Sequence, residues 1–364
     1  MNLTIIAGAR PNFMKIAPLI HAIENVRKSN ETVSYRLVHT GQHYDEKMSE
    51  TFFRELNIPQ PDVNLECGGG TQAEQTAAIM LTFEKELLTH PADLVVVVGD
   101  VTSTMACSIV AKKLHTKVAH IEAGIRSGDM SMPEEINRIV TDSITDYFFT
   151  TTPNAGENLR QLGIPEHRIF WVGNVMIDTL QANQARFTAP AIWDFLNLQP
   201  NHYIVMTLHR PNNVDEGKKL KELIGEIIAN SRDIPIVFPI HPRTAKVFDA
   251  LGIQADNLHI IDPLGYLEFN YLVEHSKVVI TDSGGITEET TVMGIPCITL
   301  RDNTERPETV TVGTNELIGT DPLAIKPALD KLFAGAWKKG DIPALWDGKA
   351  AERIVTKLLS IYGQ

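Results

Sequence analysis

The sequence predicts an α/β protein built from two doubly wound domains that face a cleft. The chain has 364 residues and 43 % hydrophobic content, which suffices for two domains that each bury a core. Short β-branched runs alternate with segments of helical period, and the alternation restarts past the middle. A strand as apolar as Leu94–Val98 is buried on both faces, which indicates a parallel sheet covered by helices.

The predicted strands follow one another with helical segments between them. In the first half they are Leu3–Ala7, Val33–His39, Leu94–Val98, Val118–Ile121, Tyr147–Thr150 and Ile169–Val172. In the second half they are Tyr203–Leu208, Ile236–Phe238, Leu258–Ile261, Val278–Thr281 and Cys297–Leu300. Each half therefore reads as a Rossmann-like domain.

The domain boundary is expected between about 175 and 200, where Pro190, Trp193 and Pro200 interrupt a helix. We predict an N-terminal domain over 1–178 and a C-terminal domain over 179–349. An amphipathic helix near 350–364 is expected to pack back on the first domain. Residues that follow the strands of both domains should converge, because parallel sheets bind ligands at the carboxyl ends of their strands.

Charge and cysteine content narrow the function classes. The chain carries 33 Lys and Arg against 45 Asp and Glu, a net charge of −12, which argues against nucleic-acid or membrane partners. Its three cysteines, Cys67, Cys107 and Cys297, suit reduced thiols in a cytoplasmic protein and form no zinc pattern. Neither a Walker A motif nor G-x-G-x-x-G follows any strand. We therefore predict no metal and no cofactor.

Two turns after predicted strands suit phosphate. The first runs from Gly8 to Lys15 and places Arg10 and Lys15 near a helix start that Asn12 can cap. The second has Ser283, Gly284 and Gly285 before a helix, where the helix dipole favours negative charge. The structural alternative for the first turn is a capped helix with two solvated cations. For the second turn it is a glycine-bearing turn with an aspartate cap. Together the two turns favour a diphosphate.

Three carboxylates, Asp100, Glu122 and Glu134, follow strands or a loop in an apolar setting, where neighbouring carboxylates can move protons at neutral pH. Each has a structural alternative. Asp100 can cap the following helix. Glu134 can complete a capping box with Ser131, or form an i, i+4 ion pair with Arg138.

Basic residues after strands of the second half form a further group. His209 and Arg210 follow one strand, and His241 and Arg243 follow the next. Such pairs could serve a leaving diphosphate, although a lone histidine at a strand end is more often structural. The charged run 301–308, which contains Arg306, also follows a strand, and its structural alternative is an ordinary solvated loop.

Short motifs follow in order along nearly the whole chain. They are Gly8-Ala9-Arg10-Pro11 with Lys15, Thr40-Gly41-Gln42-His43, Gly99-Asp100, His120-Ile121-Glu122-Ala123-Gly124, Pro133-Glu134-Glu135-Ile136-Asn137-Arg138, Gly173-Asn174-Val175, His209-Arg210, Thr281-Asp282-Ser283-Gly284-Gly285-Ile286 and Thr304-Glu305-Arg306-Pro307-Glu308. The ordered set resembles the non-hydrolysing UDP-N-acetylglucosamine 2-epimerase family.

The resemblance implies the two-domain glycosyltransferase-B architecture, a homodimer, and reversible inversion at C2 of UDP-GlcNAc to give UDP-ManNAc. The family is understood to eliminate UDP, forming 2-acetamidoglucal, and then to return UDP with a proton delivered to the other face. By matching motifs, the acid/base residues would be Asp100, Glu122 and Glu134, with His209 assisting the leaving diphosphate. The substrate-binding residues would be Arg10, Lys15, Arg138, Arg210, Leu264, Phe269, Ser283, Gly284, Gly285, Glu289 and Arg306.

Some positions depart from the family pattern. An acidic residue often follows Arg-Pro in the family, and this chain has Asn12 there. Many bacterial members bind a second UDP-GlcNAc as activator. Here Gln42 and His43 match that site, but the segment 68–72 lacks its arginine. The other readings are a 2-epimerase of a modified UDP-HexNAc such as a 2,3-diacetamido uronic acid, a hydrolysing 2-epimerase, a UDP-sugar glycosyltransferase and a catalytically silent UDP-sugar sensor.

Overall fold

The computed structural model of the protein describes residues 1–28, 32–41, 53–214, 217–240, 248 and 251–362, without the side chains of Arg10, Pro211 and Asn212. The chain divides into two compact units. One comprises Met1–Ala182 together with Ala344–Gln364, and the other comprises Asn183–Pro343. The boundaries predicted from the sequence follow residues 178 and 349, four residues before and six residues after these divisions. Within the described part of the chain, no helix is long and apolar enough to cross a membrane.

The first unit is built on a seven-stranded parallel sheet. Its strands are β1 (Asn2–Ala7), β2 (Ser34–His39), β3 (Val63–Asn64), β4 (Leu94–Val98), β5 (Lys117–Ile121), β6 (Tyr147–Thr150) and β7 (Ile169–Trp171). They lie in the order β3-β2-β1-β4-β5-β6-β7, and every pairing is parallel. The order reverses between β1 and β4, so the switch point of the sheet, where doubly wound folds bind ligands, lies there.

Helices connect the strands of the first unit. They are α1 (Arg10–Arg27), α2 (Gln72–Thr89), α3 (Thr102–Lys113), α4 (Pro133–Ile144), α5 (Pro153–Gln161), α6 (Val175–Asn183) and, from the end of the chain, α14 (Ala350–Tyr362). Ile79 and Phe83 of α2 pack with Val95 and Val97 of β4 in one buried cluster. Burying these apolar side chains contributes roughly 1.5–3 kcal/mol each.

The second unit repeats this plan with a six-stranded parallel sheet. Its strands are β8 (Ile204–Thr207), β9 (Ile236–Pro239), β10 (Leu258–Ile261), β11 (Val278–Thr281), β12 (Cys297–Thr299) and β13 (Asn315–Leu317), in the order β10-β9-β8-β11-β12-β13. Its helices are α7 (Ala191–Phe195), α8 (Pro211–Val214), α9 (Gly217–Asn230), α10 (Tyr266–His275), α11 (Gly284–Met293), α12 (Pro307–Thr311) and α13 (Ile325–Phe333).

Both faces of the second sheet are buried. Ile204 of β8 packs in a cluster with Leu220 of α9, whereas its neighbour Val205 packs in a different cluster with Leu272 of α10. Successive side chains of a strand point to opposite faces. The alternation along β8 therefore confirms the doubly wound α/β class in this unit. The switch point lies between β8 and β11.

The helix α14 completes the first unit. The carboxylate of Asp178, on α6, accepts hydrogen bonds from the backbone N–H groups of Ala350 (3.1 Å) and Ala351 (2.7 Å) and so caps the start of α14. At the other end the Tyr362 hydroxyl donates to the carbonyl of Asp93. Burial raises the pKa of Asp178 to about 6, against the lowering effect of the two amides.

Candidate active site

The turn after β1 is fixed by the side chain of Asn12. Its Oδ1 accepts from the backbone N–H groups of Gly8 (3.1 Å) and Ala9 (3.0 Å), and its Nδ2 donates to the carbonyl of Val98 at the end of β4 (3.0 Å). Asn12 lies inside α1, which begins at Arg10, so it stabilises the helix start from within. An amide supplies both the acceptor and the donor that this place requires, whereas a carboxylate could not donate to Val98.

Lys15 and Glu122 form a buried ion pair at the carboxyl ends of the strands. Lys15 Nζ lies 2.5 Å from Glu122 Oε2, and the side chains are 11 % and 2 % exposed. Glu122 directly follows β5 and has a left-handed backbone, with φ of 68°. A Cβ on Gly99 would lie 3.0 Å from Lys15 Nζ, so only glycine leaves the ammonium its full space. The pair joins two residues that the sequence predicts for the site.

Asp100 and Arg138 form a second ion pair at the same edge. Asp100 Oδ2 pairs with Arg138 Nη2, while Arg138 Nη1 lies 3.0 Å from Glu135 Oε2. Asn137 Nδ2 also donates to the backbone carbonyl of Asp100 (2.8 Å). The predicted i, i+4 pair between Glu134 and Arg138 is wrong, because the guanidinium turns towards Asp100 and Glu135 instead.

The predicted capping box around Glu134 is also wrong. The helix α4 begins at Pro133 after Met132, which has no capping side chain, and the Ser131 hydroxyl donates to Asp129 Oδ1 (2.6 Å). Glu134 is therefore the second residue of α4. Within the described part of the chain its carboxylate forms no hydrogen bond or ion pair. A half-buried carboxylate near a helix start and without a structural partner is available for chemistry.

A histidine that the sequence did not single out as a site residue lies beneath this edge. His120 is fully buried on β5, with Nε2 2.8 Å from the carbonyl of Gly99 and Nδ1 2.7 Å from Asp142 Oδ1. Arg126 Nη1 lies 2.7 Å from the other carboxylate oxygen of Asp142. Burial acts to raise the pKa of Asp142, but the interactions with His120 and Arg126 bring it below its usual value. The group fixes the backbone before Asp100 through the carbonyl of Gly99 and after Glu122 through the N–H of Gly124, which donates to Asp142 Oδ2 (3.0 Å).

The second unit has a buried aspartate, Asp282, at its switch point. Its carboxylate accepts from the backbone N–H groups of His209 (3.1 Å) and Arg210 (2.9 Å) and from Asn213 Nδ2 (3.1 Å). His209 Nδ1 lies 2.9 Å from Asp282 Oδ1. Burial acts to raise the pKa of Asp282, and these donors outweigh it and lower the pKa.

The arrangement around Asp282 sets the tautomer of His209. With Nδ1–H donating to the carboxylate, Nε2 is the nitrogen left for a ligand. The imidazole side chain is 60 % exposed, so a ligand can reach it. The alternative in which an aspartate caps the following helix does not hold for Asp282, because the cap position of α11 is Ser283, which forms no side-chain capping bond.

The start of α11 is lined by charged side chains from the run 301–308. Arg301, Glu305 and Arg306 are all buried, so the expectation of a solvated loop is wrong for them. Arg301 Nη2 lies 2.6 Å from Glu305 Oε2, and Arg306 Nε lies 2.5 Å from Glu288 Oε1. The i, i+4 spacing of Arg301 and Glu305 was the sequence feature that indicated this ion pair, although such spacing ordinarily indicates a pair on a helix. Here the pair forms outside any helix.

Glu289 lies within α11, and the Tyr266 hydroxyl donates to its Oε1 (3.0 Å). Burial raises the pKa of Glu289 to about 7, although hydrogen bonds from Tyr266 and Asn270 act to lower it. Two other predicted residues, Leu264 before α10 and Phe269 within it, are partly buried and pack against the core of the unit. A buried carboxyl with spare acceptor capacity suits a ligand that presents hydroxyl donors.

Stability should fall between pH 5 and 7 because of Glu289. The folded-state pKa of about 7 lies above the ordinary value of 4.5, so the folded protein holds a proton that the unfolded chain has released. This stability is present at low pH and is lost as the pH rises through 7, on the order of 3 kcal/mol in all. Urea unfolding of Glu289→Gln and of the unsubstituted protein should therefore show the variant gaining relative stability from pH 5 to 8. A difference that stays constant with pH would contradict this explanation.

Some predicted residues lie outside what the structure describes. The side chain of Arg10 and the residues Gln42, His43, His241 and Arg243 are among them. Within the described residues, no group of three or more His, Cys, Asp or Glu side chains is arranged to hold a metal ion. The three cysteines are buried and form no disulfide.

Comparisons with known proteins agree on one family. The family model described as UDP-N-acetylglucosamine 2-epimerase matches residues 25–359. The UDP-N-acetylglucosamine 2-epimerase of Methanocaldococcus jannaschii is 43 % identical over 368 residues, which cover 98 % of each chain. The UDP-2,3-diacetamido-2,3-dideoxy-D-glucuronate 2-epimerase of Pseudomonas aeruginosa is 42 % identical over 325 residues, 88 % of each chain.

The comparison with solved structures identifies the same family. The crystal structure of the Methanocaldococcus jannaschii UDP-GlcNAc 2-epimerase in complex with UDP-GlcNAc and UDP matches with a TM-score of 0.88 and 41 % sequence identity. The match covers 99 % of this chain and 100 % of that chain. The chain therefore shares the fold of that protein over nearly its whole length.

Proposed function

The chain belongs to the UDP-N-acetylglucosamine 2-epimerase family, and from this premise we propose that it interconverts UDP-GlcNAc and UDP-ManNAc by eliminating and returning UDP. The enzyme is an isomerase. In the forward step a base takes the C2 proton while the C1–O bond breaks, and UDP leaves with the electron pair. In the return step a UDP oxygen attacks C1 and a proton is delivered to C2 from the opposite face.

The observation that carries this proposal is the pair of cation-bound carboxylates at the ends of the neighbouring strands β4 and β5. Asp100 is held by Arg138 and Glu122 by Lys15. A cation beside a carboxylate favours its charged form, which suits a proton acceptor. Glu134 lacks such a cation among the described residues, so it is the carboxyl that can change protonation without breaking an ion pair.

We assign binding of the leaving diphosphate to the second unit. His209 presents Nε2 outward from its contact with Asp282, and the start of α11 at Ser283, Gly284 and Gly285 suits phosphate oxygens. Arg210 and Arg306 supply positive charge, and Glu289 is proposed to accept from the ribose hydroxyls. Leu264 and Phe269 are proposed to lie near uracil. Arg10 and Lys15, in the first unit, are proposed phosphate-binding residues.

Incubation with UDP-GlcNAc in D₂O, followed by proton and phosphorus NMR, tests the function. We expect UDP-ManNAc to appear with deuterium at C2 and no net release of UDP. Accumulation of UDP and free ManNAc would show a hydrolysing enzyme instead. UDP-2,3-diacetamido-glucuronate is the second substrate to offer, because the Pseudomonas aeruginosa relative named for it is 42 % identical to this chain. If the protein converts only that sugar nucleotide, then it and not UDP-GlcNAc is the substrate.

We also propose that the protein is a cytoplasmic homodimer. Leu81 and Leu88 of α2 and Ile136 and Ile139 of α4 are large apolar side chains exposed on the first unit. Helix α2 packs on α3, which packs on α4. An apolar surface of this kind is typical of subunit interfaces.

Leu81→Arg should therefore yield monomers. Burying an unpaired guanidinium in an interface is costly, so sedimentation velocity should show the mass of one chain for Leu81→Arg and of two chains for the unsubstituted protein. Leu162→Arg, at an exposed leucine that directly follows helix α5 of the same unit, is the matched control and should remain dimeric. A monomeric unsubstituted protein would disprove the dimer.

A further inference from the structure

A carboxylate already occupies the start of α11, where the proposed function places a diphosphate. Glu305 Oε1 lies only 2.8 Å from the point that a Cβ on Gly284 would occupy. Gly284 is the first residue of α11, a helix of ten residues. A side chain at that position would collide with the carboxylate, so glycine allows Glu305 to approach the backbone at the positive end of the helix.

Two arginines hold Glu305 in this place. Arg301 Nη2 lies 2.6 Å from Glu305 Oε2, and Arg210 Nη2 lies 3.5 Å from Glu305 Oε1. The Glu305 and Arg301 side chains are 8 % and 5 % exposed, so water screens the interaction little. The proposed function assigns Arg210 to the diphosphate. Its guanidinium can therefore pair with Glu305 or with the diphosphate.

Arg301 has donor capacity beyond the ion pair. Its Nη1 is buried and, among the described residues, has no hydrogen-bond partner. The same Nη1 lies 3.9 Å from the Cβ position of Gly284. A buried guanidinium donor left unused costs free energy unless a ligand takes it up. It faces the turn to which phosphate oxygens are assigned.

We propose that Glu305 is a built-in anion that occupies the α11 start in the ligand-free protein and is displaced by the diphosphate of the substrate. The displaced carboxylate releases Arg301 and Arg210, whose N–H groups then donate to phosphate oxygens. This inference rests on the proposed function, because it adds Glu305 and Arg301 to the same diphosphate site. Its consequence is that Glu305 lowers the affinity for UDP and favours release of the nucleotide.

Calorimetric titration with UDP and with uridine tests the inference. Glu305→Gln keeps the shape of the side chain and removes its charge, so UDP should bind about tenfold tighter, because a like charge next to the diphosphate is gone. Uridine carries no phosphate, and its affinity should not change. Glu316→Gln, which removes a carboxylate paired with Lys331 elsewhere in the second unit, is the matched control and should leave both affinities unchanged.

The outcomes separate this inference from the proposed function. If the unsubstituted protein fails to bind UDP, the proposed function is wrong. If it binds UDP and Glu305→Gln binds no tighter, Glu305 is not a competing anion. Should Glu305→Gln fail to fold, Glu305→Asp withdraws the carboxylate from Gly284 by one methylene and keeps the charge of the pair. It should then bind UDP more tightly with unchanged uridine affinity, and equal or weaker UDP binding would overturn the inference.

Discussion

Glu122→Gln is expected to lower kcat by about 10²–10⁴-fold, because it removes a carboxylate proposed to move the C2 proton. The substitution also leaves the Lys15 ammonium buried without its partner at 2.5 Å. Breaking a buried ion pair from one side costs roughly 3 to 5 kcal/mol of unfolding free energy. Steady-state kinetics with UDP-GlcNAc and urea unfolding measure the two effects separately.

A second substitution separates catalysis from stability. In the double variant Lys15→Met, Glu122→Gln both charges are gone, so most of the lost stability should return while kcat stays low. Glu86→Gln is the matched control, since Glu86 also pairs at 2.5 Å with an arginine, Arg36, but away from the carboxyl ends of the strands. It should cost about 1 kcal/mol at most and leave kcat unchanged. Normal turnover in Glu122→Gln would remove Glu122 from the mechanism.

Asp282→Asn is expected to cost about 2 kcal/mol of stability and to lower kcat about 10²-fold. The carboxylate accepts from the backbone of His209 and Arg210 and from Asn213, and an amide nitrogen in its place would face one of these donors. The substitution also removes the acceptor that holds His209 Nδ1–H, so the ring loses the tautomer that leaves Nε2 for the diphosphate.

The pH profile of kcat tests the link further, because a purely structural role of Asp282 would leave that profile unchanged. The lowered pKa of Asp282 keeps its carboxylate charged into acidic pH, and Asp282→Asn lacks that charge, so the acidic limb of the kcat profile should shift in the variant. Asp321→Asn, an exposed aspartate that caps a short turn in the same unit, should leave both the profile and the stability unchanged. An unaltered profile together with normal kcat would exclude the proposed link between Asp282 and His209.

The sheets were predictable because their central strands are apolar on both faces. Leu94–Val98 is a continuous aliphatic run and is a strand with those bounds in the structure. The edge strands β3 and β13 were missed. Val63–Asn64 and Asn315–Leu317 are two and three residues long, and they carry no β-branched run from which a period could be read. They exist because a neighbouring strand offers its backbone hydrogen bonds.

The position of Asp100 and Glu122 at strand ends was predictable, because Glu122 directly follows β5 and only Gly99 separates Asp100 from β4. The partners that distant segments of the chain contribute were not predictable. His120 and Asp142 are 22 residues apart, and only the packing of α4 on β5 brings them within 2.7 Å. The capping-box prediction failed because Asp129 binds Ser131, and a competing acceptor two residues away has no signature in the spacing.

The cap that Asp178 provides for α14 has a consequence for synthesis on the ribosome. Residues 344–362 belong to the first unit but are translated after the whole second unit, which is inserted between α6 and α14. Until they emerge, the surface of α1 that receives α14 stays uncovered, and Asp178 lacks the two amides that it accepts from. The second unit can fold as a continuous stretch of chain, whereas the nascent first unit must wait in a partly open state. During that interval the uncovered apolar surface makes the first unit prone to aggregation.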